Sequence, residues 1–197
     1  MTGNTSRPSG DQRKIGLSSP SDQPSGSETL PSCGDFDIRI ARDGTWFHQG
    51  SPIGRKPLVR LFASVLRREA DGEFWLVTPV ERGRVIVDDA PFVAVELAAS
   101  GTGSSQILRF RTNIDDWVEA DAAHPIRVAQ APDSGEPRPY ILVRDGLEAL
   151  IARSAYYHLV ELAVEREAGG ETGGETGGET VLGVWSKETF FPLGSLE

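Results

Sequence analysis

The residues best suited to binding chemistry lie on a predicted strand over residues 107–112. Side chains alternate along a strand, so Arg109, Arg111 and the following Asn113 share one face. Residues two apart on a strand are separated by about 7 Å, a spacing at which two guanidinium groups can hold one phosphate or carboxylate. We therefore expect Arg109 and Arg111 to bind anionic oxygens and Asn113 to add a directional hydrogen bond. The alternative is that these arginines pair structurally with nearby carboxylates. The candidate partners are Glu96, Asp115 and Asp116.

A second polar group lies in the predicted turn after a strand over residues 74–78. Thr78, Glu81 and Arg82 bring a hydroxyl, a carboxylate and a guanidinium into one tight loop. Such a loop is suited to the wall of a polar pocket, where Thr78 and Glu81 would give directional hydrogen bonds. The alternative is a salt-bridged turn that binds nothing.

Three aromatic side chains are candidates for the same pocket. Trp46 and Trp185 can offer stacking faces to a planar ligand, although burial in the core is the alternative for both. His48 lies on a predicted strand and can line the space between two structural units. The three histidines of the chain show no metal-binding spacing, so we assign no metal site.

Common catalytic motifs are missing from the sequence. It contains neither a P-loop nor Gly-x-Gly-x-x-Gly, and residues 50–54, which are predicted to be a loop, place their serine wrongly for a nucleophile elbow. We therefore assign no catalytic residue and no cofactor. The enzyme alternative is a metal-dependent hydrolase that uses Glu81, or the adjacent Asp88 and Asp89, to hold Mg²⁺.

The elements that must position these residues follow a repeated order. Arg42-Asp43-Gly44 and Arg144-Asp145-Gly146 each lie in a predicted hairpin that a helix and a further strand follow. The sequence thus predicts an α+β fold of two related strand-strand-helix-strand units. A central β-hairpin of residues 92–97 and 107–112 separates them. Two such units must pack together, and the seam between them is a natural place for a pocket.

Apolar residues recur with helical spacing after each predicted hairpin. The first predicted helix face consists of Leu58, Leu61, Phe62, Val65 and Leu66. The second consists of Tyr156, Leu159, Val160 and Ala163. Residues 115–123, after the central hairpin, show neither period and are predicted to be a polar connector.

Composition divides the chain into ordered and disordered parts. Residues 1–33 are mostly Ser, Gly, Pro, Asp and Gln, so we expect a disordered leader. Residues 169–180 are three copies of Gly-Gly-Glu-Thr, which predicts a flexible loop. The remainder divides into an N-terminal α+β domain, residues 34–89, and a C-terminal α+β domain, residues 90–197.

The charge of the chain excludes several partners. Its formal net charge is −9, which argues against a nucleic-acid polymer and against an anionic membrane surface. No run of 18 apolar residues occurs, so no membrane-spanning helix is predicted. Cys33 is the single cysteine, which leaves no disulfide within one chain. We expect a cytoplasmic protein.

Several sequence blocks occur in an order typical of one protein family. They include Phe36-Asp37-Ile38-Arg39-Ile40, Leu76-Val77-Thr78-Pro79-Val80-Glu81-Arg82-Gly83, Arg109-Phe110-Arg111-Thr112-Asn113 and Gly183-Val184-Trp185-Ser186. In these blocks the chain resembles an uncharacterised bacterial family, the domain of unknown function numbered 1285. The resemblance implies a duplicated α+β core whose C-terminal domain is superficially similar to pleckstrin-homology folds. It also implies a pocket for a nucleotide-like molecule at the domain interface and a role in signalling, but it supplies no catalytic residues.

From the residues and the resemblance together, we expect a ligand-binding module. It would take a small anionic, nucleotide-like molecule at the interface between its domains. A metal-dependent hydrolase is one alternative. A protein-interaction scaffold, binding peptides at an exposed strand edge, is the other.

Overall fold

The computed structural model describes residue 1, residues 32–167 and residues 180–196. The predicted disordered leader and the predicted Gly-Gly-Glu-Thr loop therefore lie outside the described residues, except at their edges. At those edges the first strand begins at Ser32 and a later strand begins at Thr180.

The first six strands form one sheet, here called the N-terminal sheet, with a helix between its third and fourth strands. Its elements are β1 Ser32–Ile40, β2 Trp46–His48, β3 Ser51–Pro52, α1 Lys56–Ser64, β4 Leu66–Arg68, β5 Phe74–Val77 and β6 Arg82–Val87. The strand order is β3-β2-β1-β6-β5-β4. Two antiparallel three-stranded groups are thus joined through the parallel pair β1 and β6.

The next six strands form a second sheet, the central sheet, with the same topology. Its strands are β7 Phe92–Ser100, β8 Ile107–Thr112, β9 Trp117–Glu119, β10 Ile126–Gln130, β11 Pro137–Arg144 and β12 Leu147–Ile151. The order β10-β11-β12-β7-β8-β9 again joins two antiparallel groups through one parallel pair, β7 and β12. The strands β7 and β8 confirm the predicted central hairpin.

A helix and a small antiparallel sheet complete the fold. They are α2 Arg153–Glu161, β13 Val164–Glu167, β14 Thr180–Ser186 and β15 Thr189–Leu196. The buried hydroxyl of Ser186 fastens this small sheet to the central sheet. Its Oγ donates to the Ala120 carbonyl at 2.6 Å and accepts from the Leu108 N–H at 3.0 Å. Both described helices have nine residues, and neither is long and apolar enough to cross a membrane.

The predicted α+β fold with two related units is confirmed. Strands β1–β3, α1 and β4–β6 follow the same chain order as β10–β12, α2 and β13–β15, although β10 and β15 pack together in separate sheets whereas β1 and β6 are paired. The two Arg-Asp-Gly tripeptides nevertheless occupy different hairpins, the first joining β1 to β2 and the second joining β11 to β12. They also build different turns. Five residues separate the paired Ile40 and Trp46, whereas only Asp145 and Gly146, both with positive φ, separate Arg144 and Leu147.

Three local predictions were wrong. Helix α1 ends at Ser64, so Leu66 opens β4 as a buried strand residue, and Leu61 is 61% exposed. The predicted loop over residues 50–54 contains the two-residue strand β3. The predicted polar connector contains β9, which pairs with β8. In β3 and β9, only two or three residues pair with a neighbouring strand, which is too few to show the alternating pattern of a strand.

The buried apolar residues of both units form one continuous core. Ile38, Ile40 and Trp46 contribute from the N-terminal sheet, and Phe92 and Phe110 contribute from the central sheet. The two units are therefore packed as one body, and polar side chains at their junction are held in place by that packing.

Candidate functional site

The two units meet at an open cleft between α1 and the loop that joins β8 to β9. This seam cleft has a volume of about 550 Å³. Its lining residues are Arg60, Ser64, Ile114, Asp115, Asp116 and Arg144. Helix α1 contributes the first two, and the central sheet with its loops contributes the other four.

The carboxylate of Asp115 is the centre of an ion-pair network at the seam cleft. Lys56 and Arg60 are four residues apart on α1, so both side chains leave the same helix face. Lys56 Nζ lies 3.0 Å and Arg60 Nη2 lies 2.6 Å from Asp115 Oδ2. From the other side, Arg111 Nη1 lies 3.0 Å from Asp115 Oδ1. The hydrogen bond from Lys56, together with these nearby positive charges, holds the pKa of Asp115 below its ordinary value.

Arg144 is the cation of the cleft that has no acidic partner. Its Nη2 donates to the Ala63 carbonyl at 2.7 Å, which satisfies a carbonyl at the C-terminal end of α1. Its guanidinium carbon lies 5.4 Å from the centre of the Phe92 ring. Within residues 32–167 and 180–196, no carboxylate lies within 4.0 Å of the Arg144 guanidinium. Arg144 therefore keeps an uncompensated positive charge at the cleft.

Asn113 clamps the two units together beside the cleft. Its Nδ2 donates to the Gly44 carbonyl at 3.1 Å, and its Oδ1 accepts from the Val93 N–H at 3.1 Å. Gly44 has φ +81°, and a Cβ there would lie 2.5 Å from Asn113 Nδ2. Both functional groups of the Asn113 amide are thus used to fix the β1–β2 turn against the central sheet.

The two strand arginines share one face, but both are engaged with carboxylates. Arg111 Nε donates to Glu96 Oε2 at 2.7 Å and also pairs with Asp115, so structural pairing, the alternative considered for it, is confirmed. Arg109 lies 3.4 Å from Glu119, a residue of the unexpected strand β9. Its side chain is 51% exposed, outside the seam cleft.

The residues of the predicted polar turn do not lie in one site with Arg109 and Arg111. His48, Thr78 and Glu81 line a separate cavity in the N-terminal unit. Thr78 Oγ1 donates to the Glu81 carbonyl at 2.9 Å, which closes the turn between β5 and β6. Arg82 is directed away from this cavity, with its guanidinium 4.0 Å from the centre of the Trp75 ring and 3.4 Å from Glu69.

The two candidate stacking tryptophans also lie apart from the cleft. Trp46 is 1% exposed and stacks on Phe62 with ring centres 6.3 Å apart, so it belongs to the core and offers no free face. Trp185 lies in the small sheet, edge-on to Phe190 at 5.3 Å. Its other ring neighbour is Arg166, 5.5 Å away.

The adjacent aspartates considered for Mg²⁺ hold arginines instead. Asp88 Oδ1 accepts from Arg39 Nε at 2.8 Å. Asp89 pairs with Arg138 and accepts a hydrogen bond from the Tyr140 hydroxyl at 2.8 Å. A metal at either carboxylate would have to displace these donors. No group of three or more potential metal ligands occurs in the described part of the chain.

The sequence did not single out Arg60 and Arg144, the cations that line the cleft, nor Lys56, which pairs with Asp115 beside them. One signal was present: Lys56 and Arg60 have the i, i+4 spacing of a helix face. Arg144 was visible only as part of a turn tripeptide. Nothing local indicates that its side chain reaches back to α1, because Ala63 is 81 residues away in the chain.

Comparison with known proteins identifies relatives in sequence and structure. The chain matches the N-terminal domain of DUF1285, a domain of unknown function, over residues 28–90. It matches the C-terminal domain of the same family, a protein of unknown function, over residues 91–193. A search of curated proteins found no match.

Two solved structures are similar to this one. The crystal structure of a DUF1285 family protein from Silicibacter pomeroyi DSS-3 is 49% identical, with 85% of this chain and 84% of that chain covered and a TM-score of 0.75. A DUF1285 family protein from Shewanella baltica OS155 is 28% identical, with 63% of this chain and 90% of that chain covered and a TM-score of 0.49. Since both domain models match in sequence order and together span most of the chain, the protein belongs to the DUF1285 family.

Proposed function

We propose that this protein is a ligand-binding module that takes a small anionic, nucleotide-like molecule in the seam cleft. The proposal includes the role in signalling that a small-molecule sensor would have. A cytoplasmic location remains a prediction from the sequence.

The observation that carries the proposal is the uncompensated guanidinium of Arg144. An arginine held by a carbonyl and an aromatic ring presents its remaining N–H groups and its full charge to the cleft. Planar guanidinium groups match phosphate and carboxylate oxygens with paired hydrogen bonds, and they also stack on planar bases. The chain as a whole carries a net charge of −9, whereas the cleft lining has two arginines and two aspartates, so the cleft is less acidic than the chain as a whole.

The charges around the cleft also predict which changes should strengthen binding. Asp116 also lines the cleft, and its carboxylate makes no ion pair among the described residues. It would repel a bound anion. Neutralising Asp116 should therefore tighten anion binding, whereas neutralising Arg144 should weaken it.

Calorimetric titration and thermal shift with mononucleotides, pyrophosphate and inorganic phosphate test the proposal. A ligand present at 100 times its dissociation constant should stabilise the protein by about 2.7 kcal/mol. Arg144→Gln should lower the affinity of the best probe about tenfold or more, and Asp116→Asn should raise it about threefold. Arg153→Gln, an exposed arginine outside the cleft, is the matched control and should leave the affinity unchanged.

Two results would contradict the proposal. One is the absence of binding by every anionic probe. The other is a probe whose affinity falls equally in Arg144→Gln and Arg153→Gln, since this would indicate attraction by overall charge rather than by the cleft. The melting temperature of each unliganded variant separates lost binding from lost folding.

A further inference from the structure

A further open cavity is lined by the loop between β10 and β11, by β12 and by the first turns of α2. This hairpin pocket has a volume of about 570 Å³, within the range of small-molecule sites, about 300–1,000 Å³. Pro139, Leu150 and Ile151 give it an apolar surface, and Tyr156 and Tyr157 of α2 add two aromatic rings. The pocket can therefore take the apolar body of a small molecule.

Arg153, the first residue of α2, is held in place at the hairpin pocket by an aromatic neighbour. Its Nε donates to the Tyr157 hydroxyl at 2.7 Å, and its guanidinium carbon lies 5.6 Å from the centre of the Tyr157 ring. These two residues are four apart, so they share one face of the helix. The contact uses only Nε, so the terminal N–H groups of Arg153 remain available to a ligand.

Two other arginines line the hairpin pocket, and they differ in how far their charge is compensated. Arg138 is paired with Asp89, which also accepts from the Tyr140 hydroxyl. Arg42, from the first Arg-Asp-Gly tripeptide, reaches the same carboxylate only at 4.0 Å and is 67% exposed. Arg42 and Arg153 are therefore the two cations of the pocket whose charge is least compensated.

The loop between β10 and β11 adds negative charge to the same pocket. Asp133 and Glu136 line it, and neither carboxylate lies within 4.0 Å of a cation among residues 32–167 and 180–196. The hydrogen bond to Tyr157 and, more weakly, the charge of Glu136 raise the pKa of Arg153. Glu136 is therefore near Arg153 without contacting it. A ligand with one charge would meet a like charge here, whereas a ligand with both charges would meet neither uncompensated.

We propose that the hairpin pocket binds a free amino acid with an apolar side chain. Arg153 donates to the α-carboxylate, Arg42 adds a second positive charge, and Glu136 accepts a hydrogen bond from the α-ammonium group. The side chain packs on Leu150 and Tyr156. This site is separate from the seam cleft and does not depend on the function proposed for it.

Three probes with one aromatic body test the proposal: L-phenylalanine, 3-phenylpropionate and 2-phenylethylamine. The second lacks the ammonium group, and the third lacks the carboxylate. Titrated calorimetrically against the full chain, L-phenylalanine should bind about fivefold more tightly than either of the other two, because only it can use both charges of the pocket.

Two variants assign the charged groups. Arg153→Gln should reduce the affinity of L-phenylalanine to about that of 2-phenylethylamine, without weakening the amine. Glu136→Gln should reduce it to about that of 3-phenylpropionate, without weakening the carboxylate. Arg144→Gln in the seam cleft and Glu161→Gln at the end of α2 are the matched controls and should change none of the three affinities.

Four results would overturn the proposal. They are a failure of L-phenylalanine to bind, equal binding by either singly charged probe, unchanged affinity for L-phenylalanine in Arg153→Gln or Glu136→Gln, and an equal fall in Arg144→Gln, which would place the binding at the seam cleft. Arg153 and Glu136 are exposed, so the melting temperatures of both unliganded variants should equal that of the wild type. Such a match shows that lost affinity is not lost folding.

Discussion

At the residue scale, the contact between Gly44 and Asn113 fixes how the two units meet. The Gly44 carbonyl is bonded to Asn113, and the space that a side chain would need at Gly44 is occupied by Asn113 Nδ2 and a Val93 methyl group. Gly50, in the next turn of the same sheet, has a similar φ of +74° but no atom within 4 Å of a Cβ. Substitutions at Gly44 and at Gly50 therefore separate the free-energy cost of a positive φ from the free-energy cost of a steric clash.

We predict that Gly44→Ala destabilises the protein more than Gly50→Ala. Gly50→Ala should cost about 1–2 kcal/mol in free energy of unfolding, the cost of placing alanine at positive φ. Gly44→Ala should cost a further 1–3 kcal/mol or so, because the new methyl group overpacks the contact with Asn113. Urea denaturation followed by circular dichroism measures both values.

The Asn113→Ala background tests the cause of this difference. Removing the amide frees the space beside Gly44, so Gly44→Ala and Asn113→Ala should destabilise less together than the sum of their separate effects. Strict additivity would show that the two residues do not compete for the same space.

At the element scale, the seam depends on one face of α1 meeting the loop between β8 and β9. Asp115 in that loop has φ +64°, a conformation that aspartate and asparagine tolerate better than most residues. Asp115→Asn therefore changes the charge without straining the backbone. It removes the acceptor that Lys56, Arg60 and Arg111 share.

We predict that the stabilising effect of Asp115 disappears in acid. Its pKa is lower in the folded chain than in the unfolded chain, where aspartate titrates near 3.9, so the effect is complete above about pH 4. It is lost as the pH falls through the lower, folded-state pKa. Wild type should be more stable than Asp115→Asn at pH 6, and this difference should shrink well below pH 4. Urea midpoints across this pH range provide the measurement.

The Lys56→Gln variant checks the cause of that pH dependence. The hydrogen bond from Lys56 is the largest cause of the lowered pKa of Asp115. Without it, the folded-state pKa of Asp115 lies closer to the unfolded value, so the acid loss of stability should be smaller and should be complete at a higher pH. An unchanged pH profile in Lys56→Gln would contradict the assignment.

The order of the helices and strands was predictable from the sequence, but their end residues and the pairing of the strands were less predictable. The apolar spacing after each hairpin correctly located α1 and α2, because burial of one helix face leaves a periodic signal. The strand β9 has only three residues and one buried side chain, Val118, so no period could reveal it. Because β9 was not predicted, the pairing of Glu119 with Arg109 was not predicted either.

The candidate site was predictable only in part, for a related reason. Pairing of Arg111 with Glu96 and Asp115 was foreseeable because the residues are close in sequence or opposite in one hairpin. Lys56 and Asp115, in contrast, are 59 residues apart, and only the packed fold brings them together. The two Arg-Asp-Gly tripeptides show the limit of short repeats, since the same letters form turns of different length.

At the scale of the whole molecule, one continuous core spans both units. We predict that the described body unfolds in a single cooperative transition. Hydrogen exchange measured by mass spectrometry should give the same unfolding free energy for peptides from β1 and from β12. In the double variant Asn113→Ala, Arg144→Gln, the unfolding free energies of the β1 and β12 peptides should differ, because each change removes a hydrogen bond across the seam. Different values in the wild type would show that the units unfold independently.

Helix α1 lines two separate cavities of the molecule. Leu58 and Phe62 line a cavity of about 420 Å³ in the N-terminal unit, while Arg60 and Ser64 line the seam cleft. If a ligand in the seam cleft displaces α1, the second cavity must change shape as well, because the same helix lines both.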